Sequence, residues 1–476
     1  MEPFTLAWAA EAMGARLHGT PTGLVQGICT DTRRGASGAL FFALQGEHTD
    51  GHNYVAQAFA AGAVGAVVSR EAAGISGPLL VVPDTTRALG DLAARYRRRF
   101  VIPIVGVTGS VGKTSTKEMI AASLRAKYNT LANEKNFNNE IGVPLTLFAL
   151  TPAYEVAVIE MGMRGLGEID RLAEIAQPTV GAITNIGYAH IERLGSRERI
   201  AQAKSELLAR LPEGGIAVLP RHDPFYDYLR GRVPQGCRVL SFGQGRVECE
   251  PQPEVCVTPV RDLPEGGLSA HVRAPGESAQ LALRVPGSHH LQNAAAALAV
   301  AVALSVPLTQ AAAALESWQG AEGRMVITRT PEGLTVLNDC YNAGPESMQA
   351  ALATLAQVAP QGAGRVAVLG DMKELGDFAP EAHRLVGRKA AETGLRLLVT
   401  VGDLAREIAA EAERHAGDRG LALPALRHFA DSEAAAAHIR DLAAPGDAVL
   451  IKGSRAMQME TIVAALTGAQ ESGAHG

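Results

Sequence analysis

Residues 101–117 read VIPIVGVTGSVGKTSTK, an apolar run followed by a glycine-rich turn and then by Lys113 and Thr114. These residue types, in this order, suit phosphate chemistry. Ile104, Val105 and Val107 predict a buried strand, Gly109 and Gly112 let the backbone curl, and Lys113 opens a helix. Such a turn aims backbone N–H groups and a helix N-terminus at anionic oxygens, while the lysine adds a full charge and the hydroxyl reaches Mg2+. The usual G-x-x-x-x-G-K-[ST] spacing is incomplete, because its first glycine would fall at Val107. A Gly-x-x-Gly-Lys-Thr core remains. The plain alternative is an ordinary strand-to-helix turn with a surface lysine.

Further candidates follow along the chain. The apolar run 156–159 ends in Glu160. Ligands gather at the carboxyl ends of parallel strands, so an acid there lies beside the phosphate turn and suits Mg2+; a helix cap or a pair with Arg164 competes with that role. The run 180–184 leads into NIGYAH and His190, either a structural histidine or a ligand above the same edge. Lys204 lies in the helical stretch ERIAQAKSELLARL, where a solvated lysine is the ordinary reading. Thr30, Asp31, Thr32 and Arg33 form a loop that either holds a diphosphate or a sugar or caps a turn.

The rest of the composition narrows the class. A formal net charge of -5, with 20% charged residues, gives no electrostatic case for nucleic acid or an anionic membrane, so small molecules are the expected partners. Cys29, Cys237, Cys249, Cys256 and Cys340 are scattered and form no C-x-x-C pair, which fits a reducing compartment, the cytoplasm. The N-terminus carries Glu2 and Glu11 and no basic run, so it reads as an amphipathic helix, not a signal peptide. The longest apolar run, 294–304, is too short to span a bilayer and predicts a buried helix, with no membrane insertion.

To position such a site the chain offers three α/β domains. Residues 1–100 form a small α/β unit with strands at 40–44 and 63–68 around a helix at 54–61. Residues 101–320 form a P-loop-type, mostly parallel sheet with strands at 101–107, 156–159, 180–184 and 216–219. Over 236–286 the texture shifts to alternating stretches, as in QLALRV, which predict antiparallel hairpins. Residues 321–476 form a Rossmann-like doubly wound domain with strands at 334–337, 366–369, 397–401 and 448–451. It lacks G-x-G-x-x-G, and only the tail ESGAHG reads as disordered.

TGSVGKTSTKE, NEKNFNNEIGVPLTL, VIEMGMRGLGEI, NIGYAHIERLGS, AKSELL, PGSHHLQNAAAAL, GRM, NDCYNAGPESM, LGDMKELG and KGSRAMQME follow one another in an order that resembles the Mur ligases. Within them the pattern is most similar to the ligases that add D-alanyl-D-alanine to UDP-N-acetylmuramoyl-tripeptide. The resemblance runs from Thr30 to about Glu460 and implies ATP-dependent amide bond formation through an acyl phosphate, in the cytoplasmic synthesis of peptidoglycan precursors, by a monomer. It implies that Thr108, Gly109, Ser110, Gly112, Lys113, Thr114 and Ser115 hold the nucleotide phosphates, that Asn293 meets the adenine, and that Arg324 and Asp339 approach from the third domain. Lys113, His190 and Lys204 would carry the chemistry. Thr114, Glu160, His190 and Lys204 would serve two Mg2+ ions, Lys204 as a carbamate.

The resemblance also places the muramoyl substrate on Asn138 and Asn139 and its UDP end on residues 30–33 and 41–46 of the first domain, with the third domain closing over the nucleotide and bringing in the dipeptide. His290 departs from the family's PG-x-H-N-x-x-N motif, and the D-N-P-R signature of the diaminopimelate- or lysine-adding relatives is missing. The rival readings are a Mur-type ligase with another amine or acceptor, and a P-loop switch, for which the chain lacks coiled-coil heptads or a charged tail.

Overall fold

The computed structural model describes residues 1–476 apart from 22, 47–48, 71–76, 135, 246–250, 264–265, 321–323 and 469–476. Cys249, the expected domain boundary at 321 and the tail ESGAHG lie outside the described residues.

A nine-stranded sheet holds the phosphate turn. Its order is Glu277–Leu283, Leu268–Ala274, Val255–Asp262, Arg238–Gln244, Ile216–Pro220, Val180–Ile183, Ile104–Thr108, Val156–Glu160 and Thr130–Ala132. Every residue of Ile104–Thr108 and of Val156–Glu160 is buried, as expected of strands covered on both faces. After Ile104–Thr108 the chain runs to the far edge at Thr130–Ala132 and returns as Val156–Glu160. It then crosses to the other side of Ile104–Thr108 as Val180–Ile183. The order reverses at the phosphate strand, so the loops after its two neighbours open onto one crevice, the place where such sheets bind ligands.

The expected run of antiparallel hairpins over 236–286 needs correction. Arg238–Gln244 pairs in parallel with Ile216–Pro220, and Val255–Asp262 pairs in parallel with Arg238–Gln244. Only the pairings of Val255–Asp262 with Leu268–Ala274 and of Leu268–Ala274 with Glu277–Leu283 are antiparallel. Period-two alternation of burial belongs to Leu268–Ala274 and the end of Glu277–Leu283, whereas Val255–Asp262 is buried at its start and exposed after it. Arg238–Gln244 is buried through its middle and loses that signal.

On one face of the sheet, helix Lys113–Arg125 packs with helix His289–Ala303, whose residues 293–301 are all buried. Alanine serves twice there: it is the strongest helix former, and its small side chain lets helix and sheet approach closely.

The N-terminal unit is a five-stranded sheet in the order Arg16–His18, Leu79–Val81, Gly65–Val68, Ala39–Phe42 and Gly27–Cys29. Helix Thr85–Arg97, capped by Asp84, ties it to the central sheet, with the Tyr96 hydroxyl donating to Leu150 O at 2.7 Å and Arg97 Nε to Ala176 O at 2.9 Å.

The C-terminal unit is a six-stranded sheet in the order Val326–Arg329, Thr335–Asn338, Ala448–Lys452, Arg365–Gly370, Leu397–Val401 and Ala425–Phe429. All its pairings are parallel except that of Val326–Arg329.

Candidate active site

The phosphate turn is fastened from the neighbouring strand. Ser110 N donates to Asn185 O and Val111 N to Asn185 Oδ1, each at 3.0 Å. Asn185 Nδ2 and Thr184 Oγ1 donate back to Val111 O at 2.9 and 2.7 Å. Two glycines are needed sterically. A Cβ at Gly109 (φ 151°) would lie 1.8 Å from Thr184 Oγ1, and one at Gly112 (φ 81°) would lie 2.6 Å from Asn293 Oδ1. The same close approach places Asn293, on helix His289–Ala303, against the turn. Thr108 and Ser115 are buried at the foot of the turn, while Ser110 Oγ accepts from Gly187 N at 2.8 Å.

Lys113 and Lys204 meet at this turn. Each Nζ donates to Gly109 O at 2.9 Å, and Lys113 Nζ also reaches Ser110 O at 3.3 Å. Lys204 is only 1% exposed, so the ordinary reading of a solvated helix lysine fails. Burial, and then the charge of Lys113, push the Lys204 amine well below the usual lysine range. Lys113 is lowered as well, by burial, with Glu160 opposing the shift.

Glu160 is 1% exposed at the end of its strand. Its Oε1 accepts from Asn138 Nδ2 at 2.7 Å, and its Oε2 has no partner among the described residues. The competing pair with Arg164 is not formed: Oε1 is taken by Asn138, and Oε2 meets no donor among the described residues. Asn133, which the sequence reading passes over, grips the strand end: its Oδ1 accepts from Glu160 N at 2.9 Å and its Nδ2 donates to Phe137 O at 2.8 Å. Behind it the buried Lys117 Nζ donates to Asn133 O at 2.8 Å. Asn139 instead caps the following helix, accepting from Gly142 N at 2.8 Å.

His190 sits in the left-handed region (φ 65°), with Nδ1 2.9 Å from Glu374 Oε2 of the C-terminal unit. Burial, and then the charges of Lys113 and Lys204, lower its pKa to about 4, while Glu374 opposes them. The ring is therefore neutral at neutral pH and can offer a lone pair to a cation. Glu160 suits a hard divalent ion that takes its other ligands from phosphate and water: its Oε2 is a buried carboxylate oxygen with no partner among the described residues, although those residues hold no ready-made cluster of three or more acidic, histidine or cysteine ligands.

From the C-terminal unit, Arg324 Nη2 donates to Thr114 Oγ1 at 3.3 Å while its guanidinium lies 4.5 Å over the Tyr341 ring. Asp339 stands one step back, accepting from Lys452 Nζ at 2.6 Å and from Met325 N, next to Arg324, at 3.2 Å. Thr30, Asp31, Thr32 and Arg33 are not brought into this network. They form a capped turn on the N-terminal sheet, in which Asp31 Oδ1 accepts from Arg33 N at 3.0 Å and Arg33 Nη2 donates to Asp31 Oδ2 at 2.7 Å.

Against known proteins, the Mur ligase middle domain matches residues 107–301, the Mur ligase glutamate ligase domain residues 323–455, and the Mur ligase family catalytic domain residues 24–97. The UDP-N-acetylmuramoyl-tripeptide--D-alanyl-D-alanine ligase of Synechocystis sp. is 39% identical, the match covering 93% of this chain and 92% of that protein. Its Escherichia coli (strain K12) counterpart is 36% identical, with 98% and 99% covered. A crystal structure of MurF from Acinetobacter baumannii superposes with a TM-score of 0.89 at 34% identity, covering 98% of this chain and 100% of that one. MurF ligase from Thermotoga maritima in complex with ADP gives 0.79 at 27% identity, with 93% and 97% covered. With a phosphate turn, a buried lysine pair and a strand-end carboxylate at one switch point, and with relatives that match from end to end, the chain belongs to the Mur ligase family.

Proposed function

We propose that this protein joins D-alanyl-D-alanine to UDP-N-acetylmuramoyl-tripeptide, converting ATP to ADP and phosphate. The observation that carries the reading is the grouping of Lys113, Glu160, His190 and Lys204 about the phosphate turn, the two lysines on the Gly109 carbonyl and Glu160 and His190 within electrostatic reach of Lys113, in a chain that matches ligases of that name over more than nine-tenths of its length. An oxygen of the acceptor carboxylate attacks the γ-phosphorus, and the bond to ADP breaks. The dipeptide amine then attacks the acyl carbon, a proton is lost, and phosphate departs from the tetrahedral intermediate.

The residues supply charge and placement for these steps. The amides of the turn and Lys113, released from the Gly109 carbonyl, neutralise the phosphoryl oxygens. Asn293 orients the base, and Arg324 links the C-terminal unit to Thr114. Thr114, Glu160, His190 and Lys204 would hold two Mg2+ ions, which offset phosphate charge when bound. Lys204, its amine pushed toward the unprotonated form by burial and by Lys113, can attack CO2 when it sheds its proton and then lose a second one, which turns a buried amine into a carbamate ligand. Residues 1–100 would hold the UDP-muramoyl end through Thr30 to Arg33, with Asn138 and Asn139 near the peptide. Residues 321–476 would close over residues 101–320 and keep water from the acyl phosphate. No described helix is long and apolar enough to cross a membrane, and we place the reaction in the cytoplasm, carried out by a monomer.

Incubation with ATP, Mg2+, D-alanyl-D-alanine and acceptors ending in diaminopimelate or lysine, read by mass spectrometry, tests this. A ligated product should form, with phosphate release requiring both acceptor and dipeptide. Equal phosphate release without the dipeptide, or no ligated product from any acceptor, overturns the proposal.

A further inference from the structure

The C-terminal unit grips the loop between strand Val180–Ile183 and helix Arg197–Ala209 at three points. Tyr188 N donates to Glu346 Oε1 at 3.0 Å, the Tyr188 ring stacks on Phe378 with centroids 4.4 Å apart and planes 16° apart, and His190 Nδ1 lies 2.9 Å from Glu374 Oε2. One residue earlier, Gly187 N donates to Ser110 Oγ in the phosphate turn at 2.8 Å. Two successive amides of one loop thus answer to two different bodies.

The seat of the carboxylate is specific. A Cβ on residue 187 would lie 2.3 Å from Glu346 Oε1, so the carboxylate occupies the space that a side chain at position 187 would need. Glu346 is the second residue of helix Pro345–Val358, where the helix N-terminus favours a negative side chain. On the other side of the loop Arg197 lies 5.0 Å over the Tyr188 ring and donates to Ile186 O at 2.8 Å.

We infer that Glu346 is a positioning residue of the ligase reaction: by accepting from the Tyr188 amide it fixes the loop that carries His190 against the phosphate turn, and it does so only while the C-terminal unit is docked. The inference rests on the proposed ligase function. With the C-terminal unit away, Tyr188 N loses this acceptor and His190 loses Glu374, so the loop is set for chemistry only when the unit proposed to bring the amine is in place.

The test compares wild type with Glu346→Ala, Glu346→Asp and Glu346→Gln, measuring ligated product, ADP and the KM for ATP. Glutamine keeps an oxygen of the same reach and should hold kcat within about threefold of wild type, whereas alanine and aspartate should lose about tenfold or more, with the KM for ATP changed by no more than about twofold. In the two impaired variants ADP should exceed ligated product, since a poorly set loop leaves the acyl phosphate to water. A purely structural role would not separate glutamine from alanine in this ratio. Wild-type kcat in Glu346→Ala, or a glutamine variant no better than alanine, overturns the inference; should the alanine variant not fold, aspartate against glutamine decides on the same terms. A wild type that ligates nothing overturns the underlying reading, whereas ligation undiminished by Glu346→Ala overturns the inference alone.

Discussion

Lys113 and Lys204 donate to one and the same oxygen, the Gly109 carbonyl, at 2.9 Å each. Burial first, and then repulsion from the neighbouring Lys113 ammonium on the same acceptor, push the Lys204 pKa well below the usual lysine range. The arrangement therefore favours both a phosphate beside Lys113 and an anion on Lys204.

An amine whose pKa is pushed down is the more readily a nucleophile toward CO2, so with 13C-bicarbonate at neutral pH the protein should show a carbamate carbon resonance that Lys204→Arg abolishes. Lys204→Arg and Lys204→Ala should both lose about a hundredfold or more in kcat, the scale on which removal of one preorganised charge acts. A wild-type spectrum without that resonance rules out the carbamate.

The histidines set a pH window. His190 and His289 have folded pKa values of about 4 against 6.5 for the free group, in both cases chiefly through burial. Below 6.5 the unfolded chain takes up protons that the folded chain refuses, so this contribution to stability is complete above 6.5 and is lost as pH falls toward 4. In urea titrations His289→Asn should flatten the fall in stability between those two values. A slope equal to that of wild type would show that His289 is not one of the groups responsible.

The sites that could be read from sequence are those whose signal is local. Residues 104–114 carry strand, turn and helix start in consecutive positions, and Glu160 and His190 each follow a buried strand, so the switch-point rule places them. The clamp by Thr184 and Asn185, and the carboxylates Glu346 and Glu374, depend on pairings between distant segments that no spacing encodes. The edge strands Val326–Arg329 and Ala425–Phe429 escape for another reason: they carry no fully buried residue and so show no apolar run. The burial of Lys204 is equally hidden, because helical periodicity does not say that a lysine on the inner face ends at a carbonyl.

Gly112→Ala tests the geometry of the turn. The residue has a φ of 81°, and its Cβ would lie 2.6 Å from Asn293 Oδ1. Backbone strain alone should cost about 1–3 kcal/mol, and relieving the clash would displace Asn293. The expected result is a KM for ATP raised about tenfold or more, with acceptor KM changed far less, alongside a measurable loss in denaturant midpoint. Equal effects on both substrates would show that Asn293 has no special tie to the nucleotide.

Glu160→Gln should separate function from stability. In the metal-free protein Oε2 is a buried carboxylate oxygen with no partner among the described residues, and leaving such a group unsatisfied costs about 1–3 kcal/mol, more where it is charged. Glutamine removes the charge, and its amide oxygen can still accept from Asn138 Nδ2, the bond now made at 2.7 Å. The variant should therefore match or exceed wild type in metal-free thermal stability, while the Mg2+ concentration for half-maximal activity rises about tenfold or more and kcat falls. Unchanged Mg2+ dependence would mean that this carboxylate does not hold a cation. A destabilised metal-free variant would mean that its charge serves the fold instead, through attraction to the nearby Lys113 and Lys117.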